Sequence, residues 1–175
     1  MTKYIHVLLI LLCTVLLSCA QSSNEMQFIP ATDNYAASVN IYSPSGELTQ
    51  YYMSDGKWKM NPNVPSPKMT ISGSDYRFQY LSGTETLAPM LFVYSAESGE
   101  FQFFSLVDKK WQDNKLLSKG KASFNSKNLC MEFVPGNENG SAYITAYASD
   151  KKEISVLAMT DNKWSNIEYF PKKVN

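Results

Sequence analysis

Histidine is almost missing from this chain of 175 residues. Its one copy, His6, sits in an apolar run at the very start. Beyond that run there is no imidazole, which excludes Ser-His-Asp and Cys-His nucleophilic sites and any zinc site built on histidine. Cysteine is scarce too, with Cys13, Cys19 and Cys130 only. No Gly-rich phosphate loop occurs, and no Asp-x-Asp-x-Asp calcium loop, so neither a cofactor nor a metal is expected. Basic and acidic residues balance at 16 each, and without a basic stripe a nucleic-acid partner has no electrostatic footing. No apolar run reaches the ~20 residues of a membrane span. No window of useful length repeats with helical period.

What is present begins with "MTKYIHVLLILLCTVLLSCA". One early Lys precedes an apolar run from Ile5 to Leu17, the pattern of a secretory leader. The run closes in Leu16-Leu17-Ser18-Cys19, which resembles the lipobox of bacterial lipoproteins. That resemblance implies cleavage after residue 18 and a diacylglyceryl group on Cys19. Each buried methylene contributes ~0.8 kcal/mol, so two or three acyl chains anchor stably. The implied location is the cell envelope. Ala20 directly after the cysteine favours an outer membrane, and residues 19–25 form a short tether. Cys13 leaves with the leader and Cys19 goes to the lipid. Cys130, inside the apolar "NLCMEF", is then expected as an unpaired, buried small hydrophobe. Lys3 also leaves, so 15 basic residues face 16 acidic ones in the remaining single domain.

Residues 26–175 are a triplicate. The only tryptophans, Trp58, Trp111 and Trp164, stand 53 residues apart, each in an Asp-x-Lys-Trp sequence. Glu47, Glu100 and Glu153 keep the same interval, as do Gly46, Gly99 and Lys152, and Tyr42, Tyr94 and Tyr147 precede them. The unit boundaries fall at about 26–74, 75–127 and 128–175. A fixed period of this length marks a repeat architecture. Each unit reads as four short strands rich in Tyr, Phe, Val and Ile, separated by Gly, Pro, Asn and Asp. The first strands are "MQFIP", "YRFQYL" and "LCMEFV". The Asp-x-Lys turn leads into a fourth strand that begins at the tryptophan. Asp55-Gly56 is the favoured pair for a two-residue turn, and each tryptophan offers roughly 150–250 Å² for packing.

The expected fold is therefore all-β, built of three four-stranded antiparallel repeats. A β-propeller and a β-trefoil both use such units. Strand three of the second unit carries Phe101 and Phe103 on one face and Phe104 and Leu106 on the other. Strands apolar on both faces are buried on both sides, which favours propeller-like blades. Three blades leave an apolar face at each end, and two copies closing a six-bladed ring would cover both.

"VNIYSPSGELTQYYMSDGKW" is similar to the blade motif of fucose-binding propeller lectins. The resemblance implies blades with ligand clefts between them. Those lectins grip sugar with an Arg on strand two and a Glu on strand three. The matching positions here are Asn40, Phe92 and Thr145, then Gln50, Phe103 and Val156, so fucose binding is not carried over. Trp58, Trp111 and Trp164 match the family's aromatic platform. The candidate ligand residues are these three with Tyr42, Asn40 and Gln50, joined by Tyr52. Asp75 and Glu132 break the repeat without an acidic partner in sequence, and no catalytic residue is expected. The function expected is a lipid-anchored envelope module binding a glycan or an envelope protein, against an alternative of a purely structural lipoprotein.

Overall fold

The computed structural model describes residues 24–31, 36–81, 83, 88–136 and 141–167. The segment expected as a leader, with Cys13, and Cys19 lie outside the described residues. Those described form strands and connections with no helix among them, so none crosses a membrane as an apolar helix.

Three separate antiparallel sheets follow one another along the chain. The first contains β1 (Glu25–Ile29), β2 (Ser38–Tyr42), β3 (Leu48–Ser54) and β4 (Lys57–Met60), in that spatial order. The second contains β5 (Tyr76–Leu81), β6 (Met90–Ser95), β7 (Glu100–Val107) and β8 (Lys110–Asp113), with β9 (Gly120–Lys121) added on β7. The third contains β10 (Leu129–Val134), β11 (Tyr143–Ala148), β12 (Glu153–Thr160) and β13 (Lys163–Asn166).

The repeated turns explain the repeated sequence. Asp55-Gly56, Asp108-Lys109 and Asp161-Asn162 have φ values of 52° and 70°, 49° and 62°, and 50° and 59°. Positive φ at both central residues is the twist-matched turn for a two-residue hairpin. It places each tryptophan opposite the same strand-three position: Met53↔Trp58, Leu106↔Trp111 and Met159↔Trp164. The fourth strands begin at Lys57, Lys110 and Lys163, one residue earlier than the sequence suggested. Gly46, Gly99 and Lys152 likewise share a left-handed backbone at φ 97°, 74° and 50°.

β9 is a fifth strand in a unit expected to have four. It pairs with the start of β7 (Glu100↔Lys121, Phe101↔Gly120), while β8 pairs with the other end. Gly120 permits this: a Cβ there would sit 2.6 Å from the Phe101 ring and 3.1 Å from Trp164.

The middle sheet is buried on both faces, as its sequence indicated. Toward the first sheet, Phe78, Leu91, Val93 and Phe104 cluster with Tyr42 and Leu48, and Tyr42 stacks on Phe78 at 4.6 Å. Toward the third sheet, Phe92, Phe101 and Phe103 cluster with Phe133, Ile144 and Leu157, and Trp164 stacks on Phe103 at 5.7 Å. Side-chain amides join neighbouring sheets at the inner strands. Gln27 donates to Tyr80 O at 3.1 Å and accepts from Tyr80 N at 3.0 Å. Gln79 repeats the contact with Phe133, at 3.1 and 2.8 Å.

Cys130 is buried as expected, but it is not an unpaired thiol; it is disulfide-bonded. The expectation took Cys13 and Cys19 as unavailable to it; both lie outside the described residues.

Candidate functional site

The site is a cleft of about 200 Å³ where the first and second sheets meet. Its floor comes from alternate residues of the first sheet. Ser38 on β2 and Gln50 and Tyr52 on β3 share one face, because strand side chains alternate with period two, and Ser38 lies opposite Tyr52 in the register. Asn61, just past β4, and Ile29, at the end of β1, flank them. Tyr80 and Gly83 of the second unit supply the opposite wall.

A chain of amides runs inward from this cleft. Asn61 Nδ2 donates to Gln50 Oε1 at 2.7 Å, Gln50 Nε2 to Asn40 Oδ1 at 2.8 Å, and Asn40 Nδ2 to the Tyr42 hydroxyl at 2.9 Å. That hydroxyl donates to Gln27 Oε1 at 3.2 Å, and Gln27 holds the Tyr80 backbone. Every member is neutral. Burial raises the Tyr42 pKa, opposed in part by its bond from Asn40, so the phenol keeps its proton and the network its polarity. Buried amides are tolerated because each one is bonded.

The sequence candidates are thus divided. Gln50 and Tyr52 line the cleft. Asn40 and Tyr42 are 0% and 1% exposed; they support the cleft from behind and do not line it. Asn40 and Gln50 are direct register partners. In the second sheet the same pair is Phe92 and Phe103, rings 4.9 Å apart, and in the third Thr145 and Val156. One position pair carries amides, aromatics, then a hydroxyl with an aliphatic group, so only at the first seam does this pair extend the amide contact into a network.

The tryptophans lie apart from the cleft's lining. Each meets the ring of its own first strand edge-on: Phe28–Trp58 at 6.5 Å, Tyr80–Trp111 at 6.3 Å and Phe133–Trp164 at 6.3 Å. Trp164 also donates to Ser118 O at 2.8 Å. Trp111 is half-buried against the core between the first two sheets, while Trp58 is exposed.

One group was missed. Arg77, the only arginine of the chain, is 5% exposed and lies between Glu25 at 3.4 Å and Asp75 at 3.3 Å. Asp75 therefore has a cationic partner. Burial raises the Glu25 pKa, with Arg77 pulling against it. Arginine suits such a buried two-carboxylate position better than lysine, and its single use among lysines was the available signal. Among the described residues no three metal-ligating side chains converge.

No protein-family model matches the chain, and no curated protein matches it.

Proposed function

We propose that this chain is a non-catalytic binding module of the bacterial cell envelope, anchored by acyl chains on Cys19 at an outer membrane. Its three sheets are successive blades of a propeller-like ring, and two copies complete a ring of six. The cleft between the first and second blades takes a carbohydrate.

The cleft carries this reading. Amides at Gln50 and Asn61 and the hydroxyls of Ser38 and Tyr52 offer both donors and acceptors to sugar hydroxyls, and the rings of Tyr52 and Tyr80 offer apolar faces beside them. The volume of about 200 Å³ is below the 300–1,000 Å³ of drug-sized pockets, which suits one sugar ring or chain end. Trp58 is a second, exposed aromatic surface.

A structural reading without a small ligand draws on one observation: Gln50, Asn61 and Asn40 already bond to one another. A glycan array with the full chain separates the two. Binding by the wild type, lost in Tyr52→Ala with the fold unchanged by circular dichroism, is the expected result. Silence across the array from well-folded protein overturns the carbohydrate reading in favour of the structural one.

A further inference from the structure

Gln27, Gln79 and Glu132 are equivalent residues on β1, β5 and β10, each opposite its own sheet's second strand at Asn40, Phe92 and Thr145. The first two each grip the backbone N–H and C=O of one residue in the next sheet, Tyr80 and Phe133. Among the described residues no further sheet follows the third. Its Oε2 is buried and has no hydrogen-bond partner.

The other end of the array is complementary. Tyr80 and Phe133 correspond to Phe28, which occupies the same place in the register (Phe28↔Val39, Tyr80↔Leu91, Phe133↔Ile144). Phe133 is 2% exposed, Phe28 60%. Met26, Trp58 and Met60 are exposed beside it, at 74%, 45% and 60%, although Phe28 and Trp58 keep the edge-on geometry that the other two units bury. The first sheet thus presents a face that its copies cover, and the third sheet holds an unused grip for it.

We infer that Glu132 of one copy binds Phe28 of a second copy through a protonated carboxyl, donating to Phe28 O and accepting from Phe28 N–H. The occupant is a second chain because the contact continues the two that already join the sheets within one chain. A carboxylate has acceptors only, whereas a carboxylic acid has one donor and one acceptor, as the glutamine amide does. The protonated form therefore reproduces the grip of Gln79, and the ionised form sets a negative oxygen against the Phe28 carbonyl. Burial already favours the protonated form of Glu132, with no ion pair opposing it. The neighbours on its face are Cys130, Thr145, Tyr147 and Val156, none of them cationic. The arriving face is apolar. Its sheet's charges are Glu25, which faces Arg77, Glu47 in the β2–β3 turn, Asp55 in the β3–β4 turn, and Lys57 and Lys59, which alternate with Trp58 and Met60 along β4 and so lie on the opposite face.

The sign follows from linkage. The acid's pKa is raised on closure, so association is fully present below the free-chain pKa and is lost as pH rises through the closed-ring pKa. A two-copy ring contains two such contacts and takes up two protons. Its dissociation constant should weaken by up to about a hundredfold per pH unit between those two pKa values and level off above the closed-ring one.

This inference rests on the ring reading, and one experiment separates them: sedimentation of the full chain in mild detergent across a pH series. The wild type should dimerise in acid and dissociate as pH rises. Glu132→Gln should remain dimeric throughout, and Phe28→Asp, an exposed position, should stay folded and monomeric. A dimer that ignores pH, or a Glu132→Gln variant that follows the wild type, overturns the proton-coupled contact and leaves the ring standing. A monomer in every condition, Glu132→Gln included, overturns both. The carbohydrate cleft lies within one chain and is tested independently.

Discussion

Gln79 and Phe133 are joined twice, by a side-chain amide that both donates to and accepts from one residue of the neighbouring sheet. Gln79→Ala strands both backbone groups at the edge of the aromatic core, at about 1–3 kcal/mol for each. Gln79→Glu keeps the acceptor and loses the donor when ionised, so it should fall between wild type and alanine and recover in acid. Urea denaturation followed by tryptophan fluorescence measures both variants.

Lys109 occupies, at φ 62°, the left-handed position that Gly56 fills in the first unit. A β-carbon there costs about 1–2 kcal/mol, partly offset by the chain entropy that glycine loses on folding. Lys109→Gly should stabilise the protein by about 0.5–1 kcal/mol, read as a higher urea midpoint. No atom lies within 4 Å of a Cβ built on Gly56, so Gly56→Lys should cost a similar amount through the backbone alone.

The connection between the first two units is pinned by carboxylates. The hydroxyl and amide of Ser74 bond Glu97, and the amide of Ser72 bonds Glu100 at 2.8 Å. These bonds hold both carboxyls below the ordinary glutamate range. Depressed values mean that the stabilisation is present above the unfolded-state pKa, about 4.3, and is lost as pH falls through the folded-state value. Amide hydrogen exchange should show Ser72 and Ser74 losing protection in acid before the sheets do.

Cys130 reports on the leader. On the proposed lipoprotein reading, processing would acylate Cys19 and remove Cys13, so the disulfide at Cys130 could not be kept within the chain. Protein extracted from membranes should then yield one alkylatable thiol per chain on unfolding and almost none when folded, since Cys130 is 4% exposed. Mass spectrometry should place the acyl groups on Cys19. A persistent disulfide at Cys130 in that material counts against the lipoprotein reading.

Local chemistry made most of the fold legible. The interval between tryptophans, the Asp-led turns and the two-faced strand at Phe101–Leu106 indicated the strands and the double burial of the middle sheet. β9 was hidden because two residues, one a glycine, carry no pattern; its signal is the absence of a Cβ above Phe101. The cleft was legible only in part. Gln50 and Tyr52 belong to one strand and were singled out together. Asn61 joins them by continuing the β3–β4 pairing onto Gln50, and Tyr80 comes from the next sheet, a meeting that spacing along the chain does not encode. Arg77 was overlooked because Glu25, far earlier in the chain, reaches it only where β1 meets the second sheet, although Asp75 stands beside it in sequence.

The two seams between sheets differ in kind. The first joins an apolar cluster to a file of hydrogen-bonded amides ending in an open cleft, and the second packs phenylalanine rings and Trp164 around the single Gln79 amide. Gln50, Tyr52 and Asn61 at the first seam face an open cleft, so the amino-terminal sheet should peel away first when the molecule is pulled or heated, while the remaining pair holds as a unit. A load applied at the amino-terminal end would meet the weaker junction before the stronger, giving the array a built-in order of failure.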